Sequence, residues 1–117
     1  MIIFHGSWSP YEPRRLPPSA PLGTIFAKRD KDGKDWYEFV EEYDAKEGHV
    51  FFTCIPQLGV LTVGSAVRDI TKLFPAKQLV FEIEDFEGDP KGLNGMVFNS
   101  DTEKFTKLDL DKLMGNA

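Results

Sequence analysis

The sequence predicts an α+β fold, a small and mainly antiparallel β-sheet with one principal amphipathic helix packed on it. Three observations lead to this prediction. Apolar residues recur at helical spacing in one stretch, residues 35–43. Short runs of β-branched and aromatic residues follow, separated by glycine, proline and aspartate. The 117 residues suit one domain, which we expect over 23–117.

The helix prediction rests on an apolar stripe and on a capping residue. The stripe consists of Trp36, Phe39, Val40 and Tyr43, which are spaced three and four residues apart. Asp35 precedes it, and an aspartate carboxylate at this position accepts hydrogen bonds from the first free N–H groups of a helix. Two large aromatic rings on one stripe have to pack on another element, and the simplest partner is a sheet of the same domain.

The strand predictions rest on apolar alternation and on turn residues. We expect strands over 24–29, 49–55, 60–63 and 78–84, and a last hairpin over 96–108. Pro56 to Gly59 favour a turn, so the two middle strands should form a hairpin. Asp69 should cap a single helical turn that Pro75 ends. In the 78–84 strand, apolar residues alternate with a set that includes Glu82 and Glu84, which predicts one buried and one mostly wet face.

Residues 1–22 are expected to form an extended N-terminal arm, because five of the eight prolines lie between residues 6 and 22. Proline has no backbone N–H group and cannot donate to a β-ladder. Trp8, Tyr11 and Leu16 give this arm apolar side chains, and Phe86 lies within an acidic, glycine-rich loop over 85–94. These four are the candidate partner-binding residues. A floppy segment and an arm that orders on a partner both remain open.

Charge and composition exclude several classes of partner. The net charge of -5 provides no basic face for phosphates, so we expect no nucleic-acid partner. No run approaches the roughly 18 apolar residues of a membrane span, so no membrane partner is expected either. Cys54 is the single cysteine, which rules out a disulfide within the chain and favours a cytoplasmic context.

No catalytic, cofactor-binding or metal site is predicted. Asp30, Asp32 and Asp35 with Glu41 resemble a calcium loop, but the glycine stands at the fourth position instead of the sixth. A solvated turn followed by a helix cap explains these residues better. The remaining candidates are a cysteine nucleophile and a pair of carboxylates.

Neither of these candidates has a recognisable partner in the sequence. Cys54 lies within an apolar run, where a buried strand position is the expectation, and neither His5 nor His49 forms a motif with it. Glu82 and Glu84 lie two residues apart and therefore share a strand face, but a wet surface is expected there.

Two stretches of the chain resemble a pattern found in small proteins of tailed bacteriophages and prophages that are associated with the tail or tail-fibre region. The first is Gly23 to Ala27 with the Asp-rich turn and Asp35-Trp36-Tyr37. The second is Val67 to Pro75, preceded by a hairpin with Gly59-Val60-Leu61 and followed by Val80-Phe81-Glu82. The similarity covers about residues 23–86. It is loosest in the helix, which is more acidic here than in the pattern, and in the proline-rich arm, which has no clear counterpart.

The resemblance implies a non-enzymatic structural or assembly protein that acts through protein–protein contacts with other tail or tail-fibre proteins. It would reside in the virion or in the host bacterial cytoplasm, and a homo-oligomer is possible. The alternative is a small host-interacting phage protein that uses its acidic surface.

Overall fold

A computed structural model describes residues 2–12, 25–43, 48–57 and 59–108. Within these ranges seven strands form one antiparallel sheet in the order β2-β1-β5-β3-β4-β6-β7, accompanied by one α-helix. The elements are β1 (Ile2–Pro10), β2 (Ala27–Arg29), α1 (Trp36–Glu42), β3 (Val50–Gln57), β4 (Val60–Val67), β5 (Gln78–Ile83), β6 (Val97–Asn99) and β7 (Lys104–Thr106). Short 3-10 helices span Ile70–Lys72 and Pro90–Leu93. The predicted α+β class is confirmed.

Helix α1 begins where the sequence predicts, because Asp35 caps it. The Asp35 carboxylate accepts hydrogen bonds from the backbone N–H groups of Tyr37 at 2.9 Å and Glu38 at 3.4 Å. The helix has only seven residues, so its stability comes mainly from packing Trp36 and Phe39, which are both buried. In the described part of the chain, no helix has the length and apolar character that a membrane span requires.

Both faces of the sheet are buried. The helix-side core consists of Trp8, Ala27, Trp36, Phe39, Phe51, Ile70, Leu73 and Val80. The far-side core consists of Val50, Phe52, Cys54, Val63, Ala66, Phe81, Ile83, Leu93 and Phe98. The expectation that one face of the 78–84 strand is mostly wet is therefore wrong, and Glu82 on that face is only 1% exposed.

Strand β1 corrects the expectation of an arm over residues 1–22. Residues 2–8 pair with β5 and residues 8–10 pair with β2. Strand β1 therefore belongs to the sheet and lies between β5 and β2. Trp8 is 0% exposed and meets Trp36 edge to face, with ring centroids 5.0 Å apart. The prolines do not prevent this pairing, since Pro10 occupies the last position of the strand. Residues 13–22 lie outside the described residues.

The sheet is strongly curled, and its curl creates a concave side. Phe98 of β6 lies 5.0 Å from Phe81 of β5 between ring centroids, although β4 and β3 separate their strands in the sheet. The turn between β6 and β7 also reaches β1, where the N–H of Ile2 donates to Oε1 of Glu103 at 3.0 Å. The β6–β7 end of the sheet thus approaches β1 around the far-side core.

Candidate functional site

The structure does not bring the four candidate partner-binding residues together. Trp8 lies in the helix-side core and offers no surface to a partner, which corrects its assignment. Tyr11 is half-buried, and its hydroxyl donates to Oδ1 of Asp35 at 2.7 Å. Phe86 is half-buried beside the far-side core. A partner role for Tyr11 and Phe86 stays a prediction, and Leu16 lies outside the described residues.

The aspartates of the turn before α1 have structural partners. Asp32 accepts two hydrogen bonds from the Arg29 guanidinium, at 3.0 and 2.7 Å, which keeps the pKa of Asp32 low, at about 2. Asp30 accepts from the Ser7 hydroxyl at 2.9 Å, and Asp35 caps α1. Among the described residues, no three His, Cys, Asp or Glu side chains meet in a way that could hold a metal ion.

Cys54 occupies the buried strand position that the sequence predicts. It lies in β3 within the far-side core and is 0% exposed. Burial raises the pKa of its thiol to about 12, so the thiolate form is scarce at neutral pH. Cys54 therefore has the properties of a structural cysteine.

The carboxylate of Glu82 is the centre of a buried polar cluster that sequence reasoning missed. Its Oε1 lies 2.8 Å from Nε2 of His5, and its Oε2 contacts Nδ1 of His49. The hydroxyl of Tyr43, at the end of α1, also hydrogen-bonds to it. Because an ionised carboxylate can only accept hydrogen bonds, each imidazole must present an N–H group to Glu82.

The hydrogen bonds decide the ionisation state of this cluster. Burial acts to raise the pKa of Glu82, but the bonds from Tyr43, His49 and His5 outweigh it and hold the pKa below its ordinary value. The Tyr43 pKa is raised in turn, by burial and by its bond to Glu82. Glu82 is therefore a carboxylate at neutral pH, with donors from three separate segments of the chain.

Aromatic rings enclose the cluster. The His5 ring lies 5.4 Å from Phe39, 5.6 Å from Tyr43 and 6.2 Å from Phe51 between centroids. A general acid or base needs access to a substrate proton within hydrogen-bond reach. Glu82 has its oxygens occupied by protein donors, so the arrangement connects β1, α1 and the start of β3 instead of presenting a reactive group.

A second feature, the β1 groove, is open to solvent. It is an apolar pocket of about 360 Å³ on the concave side of the sheet. Its apolar walls are Ile2, Phe4, Leu61, Leu79, Phe81 and Phe98, and its polar groups are Ser100 and Glu103. Phe4 is 56% exposed, and its ring packs at a tilt of 39° against Phe81 with centroids 5.0 Å apart.

The groove lies against a strand edge that lacks a neighbour. Strand β2 pairs with β1 only over Trp8–Pro10, and beyond it the Ser7 and His5 carbonyl oxygens accept from the Asp30 N–H and the Arg29 guanidinium. Residues 2–4 therefore have no strand on that side within the described ranges. Phe4 also borders a second depression, of about 470 Å³, whose lining includes Ser7, Arg29 and Asp30. An apolar and a polar depression thus adjoin the same edge of β1.

Comparison with known proteins adds no assignment to these features. No protein-family model, no curated protein and no solved structure matches the chain. The motifs quoted above and the geometry of the β1 groove are the features that bear on function.

Proposed function

We propose that this chain is a non-enzymatic structural or assembly protein of a tailed phage or prophage, associated with the tail or tail fibre and acting through contacts with other tail proteins. The observation that carries the proposal is the β1 groove, where Phe4 is 56% exposed beside an apolar pocket. Contiguous exposed apolar surface is typical of sites at which another protein binds. The tail context comes from the resemblance of residues 23–37 and 67–75 to small tail-region proteins.

The reactive side chains of the described residues support the non-enzymatic part of the proposal. Cys54 is buried with a raised pKa, and Glu82 is occupied by donors from three segments. Neither group faces the β1 groove, whose lining contains one charged side chain, Glu103. A surface of this kind is suited to binding a polypeptide and lacks the convergent polar groups of a catalytic pocket.

The experiment that tests the proposal is immunogold labelling of particles purified from an induced or infected lysate. We expect label on tails, and no label on particles prepared from a strain in which the gene is deleted. A tail-assembly defect in the deletion strain, with unlabelled wild-type particles, would assign the protein to assembly instead of to the virion. Normal particles without the gene, and no protein in tail intermediates, would refute the proposal.

One observation favours the alternative, a host-interacting phage protein that uses its acidic surface. Glu38, Glu41 and Glu42 are all exposed on α1, and Glu42 pairs with Lys34. Reversing Glu38 and Glu41 to lysine leaves that pair intact while it inverts the local charge. Under the alternative this double variant loses its host partner, whereas the tail proposal predicts unchanged association with particles.

A further inference from the structure

We propose that the β1 groove binds an extended segment of a partner polypeptide, which adds as a strand to the open edge of β1 and inserts an apolar side chain into the pocket. This inference deepens the proposed function and rests on it for the class of partner, a tail protein. Two independent features carry it: the direction of backbone N–H groups in β1 and the position of the pocket beside them.

The first feature is the edge of β1 over residues 2–4, which has no backbone partner among the described residues. The N–H of Ile2 points away from β5, because it donates to Oε1 of Glu103 in the β6–β7 turn. N–H groups of alternate residues in an antiparallel strand point to the same side, so the N–H of Phe4 faces this edge as well. An added strand would bond to the Phe4 N–H and displace the Glu103 side chain from the Ile2 N–H, because backbone groups on a strand edge provide a template for a further strand.

The second feature is the pocket that begins at this edge. Ile2 and Phe4 belong both to the open edge and to the pocket wall. In strand addition, main-chain hydrogen bonds give affinity and pockets for alternate side chains give specificity. A volume of about 360 Å³ lies within the roughly 300–1,000 Å³ of ordinary binding pockets and has room for a leucine or phenylalanine side chain.

Charge complementarity defines the partner further. Glu103 is the one charged side chain in the pocket lining, and it is exposed. The whole chain carries a net charge of -5, which attracts cations over a longer range. We therefore expect a segment in which a lysine or arginine lies next to the apolar anchor residue.

The test uses the full chain labelled with ¹⁵N and short synthetic peptides in which Leu or Phe alternates with Lys or Thr. Saturable shifts are expected at the amides of residues 2–4 and 98–103. Peptides N-methylated at alternate backbone nitrogens cannot pair as a strand, and we expect them to bind at least about tenfold more weakly. Binding without loss on N-methylation, or no saturable shift at all, would overturn the inference.

Variants of β1 give an independent test. Phe4→Pro removes the edge N–H group, and proline is tolerated on edge strands, so we expect a folded protein that no longer binds the peptides. Phe4→Ala keeps the N–H group and should weaken binding less. Phe74→Ala is the matched control, because Phe74 is 83% exposed and does not line the groove. Equal binding by Phe4→Pro and Phe74→Ala would contradict strand addition; should Phe4→Pro fail to fold, the N-methylated peptides decide.

The outcomes separate this inference from the proposed function. Suppose that the wild-type protein binds the peptides but is absent from particles and from tail intermediates. This result would refute the tail assignment and leave the groove as a peptide-binding site. Equal labelling of tails by the wild type and by Phe4→Pro would refute peptide binding in the groove and leave the tail assignment in place.

Discussion

Nε2 of His5 lies 2.8 Å from Oε1 of Glu82, although 77 residues separate the two in the chain. The contact depends on a bulge in β1. The register of β1 on β5 shifts between Phe4 and Gly6, which leaves His5 without a paired residue in β5. Its ring reaches the helix-side face, where Ile3 stands opposite Glu82. A local irregularity of one strand thus supplies one of the donors of the buried carboxylate.

Replacement of Glu82 by glutamine should destabilise the fold. The amide offers one acceptor oxygen and one donor group where the carboxylate offers two acceptors, so at least one of its three donors loses its partner. We expect the free energy of unfolding to fall by about 1–3 kcal/mol, the usual cost of a buried unsatisfied polar group. Urea denaturation measures this, with Glu84→Gln as the control on the same strand face. An equal loss of unfolding free energy in the two variants would show that the polar cluster does not contribute to stability.

The same carboxylate predicts a loss of stability in acid. The pKa of Glu82 in the folded protein lies below its ordinary value of 4.5, so its contribution is present above about pH 4.5 and is lost as the pH falls through the folded pKa. The charged and titratable groups that face it are His5, His49 and Tyr43. Below pH 4.5 the stability difference between wild type and Glu82→Gln should shrink as Glu82 becomes protonated. A difference that stays constant down to pH 3 would contradict the shifted pKa.

Trp8 should be among the residues most costly to truncate. It is 0% exposed and packs on Trp36 and Phe39, with centroids 5.0 and 5.2 Å away. Trp8→Ala should lower the free energy of unfolding by about 3–5 kcal/mol, because it leaves a cavity in the helix-side core. Phe74→Ala, at a residue 83% exposed, should change it by less than about 0.5 kcal/mol. Similar effects from the two substitutions would place residue 8 outside the core.

Replacement of Gly6 by alanine should destabilise the fold. Its φ of 107° is unfavourable for residues with a Cβ, and a Cβ there would lie 2.6 Å from Cδ of Arg29. Arg29 has little freedom to move, because Asp32 holds its guanidinium and the Trp8 ring lies 5.6 Å from it. Gly33→Ala provides the control, with a φ of 74° and no atom within 4 Å. Thermal unfolding should show Gly6→Ala to be less stable than Gly33→Ala by about 1–3 kcal/mol, the range of overpacking.

The thiol of Cys54 should be unreactive in the native protein. It is buried, and its pKa of about 12 keeps it protonated at neutral pH. We expect Ellman's reagent to modify Cys54 rapidly in guanidinium chloride and only at the rate of global opening in native buffer. Rapid modification of the folded chain would instead indicate an accessible thiolate.

Much of the fold follows from local patterns. The stripe with Trp36 and Phe39 and the Asp35 cap predict α1 to within a residue. The hairpin of β3 and β4, the turn capped by Asp69 and the terminal β6–β7 hairpin follow from turn residues between apolar runs. These features depend on neighbours a few residues apart, which is the range over which periodicity and capping act.

The features that sequence reasoning missed depend on distant partners. The bulge at Gly6 interrupts the alternation of β1, and the nearby prolines suggested an arm instead of a strand. Glu82 alternates with apolar residues like a solvent-facing side chain, and only the approach of His5 and His49 reveals that it is buried. The β1 groove likewise joins residues from both ends of the chain, such as Phe4 and Phe98. No local pattern encodes such contacts.

The polar cluster around Glu82 also has a kinetic meaning. Its histidines lie 77 and 33 residues away in the chain, so both contacts close long loops and require β5 to have paired with β1 and β3. Contacts that form late in folding change the unfolding rate more than the folding rate. The hydrogen bonds of the buried carboxylate would then mainly slow the unfolding of the assembled sheet. They would lengthen the lifetime of the native state while leaving the time needed to reach it nearly unchanged.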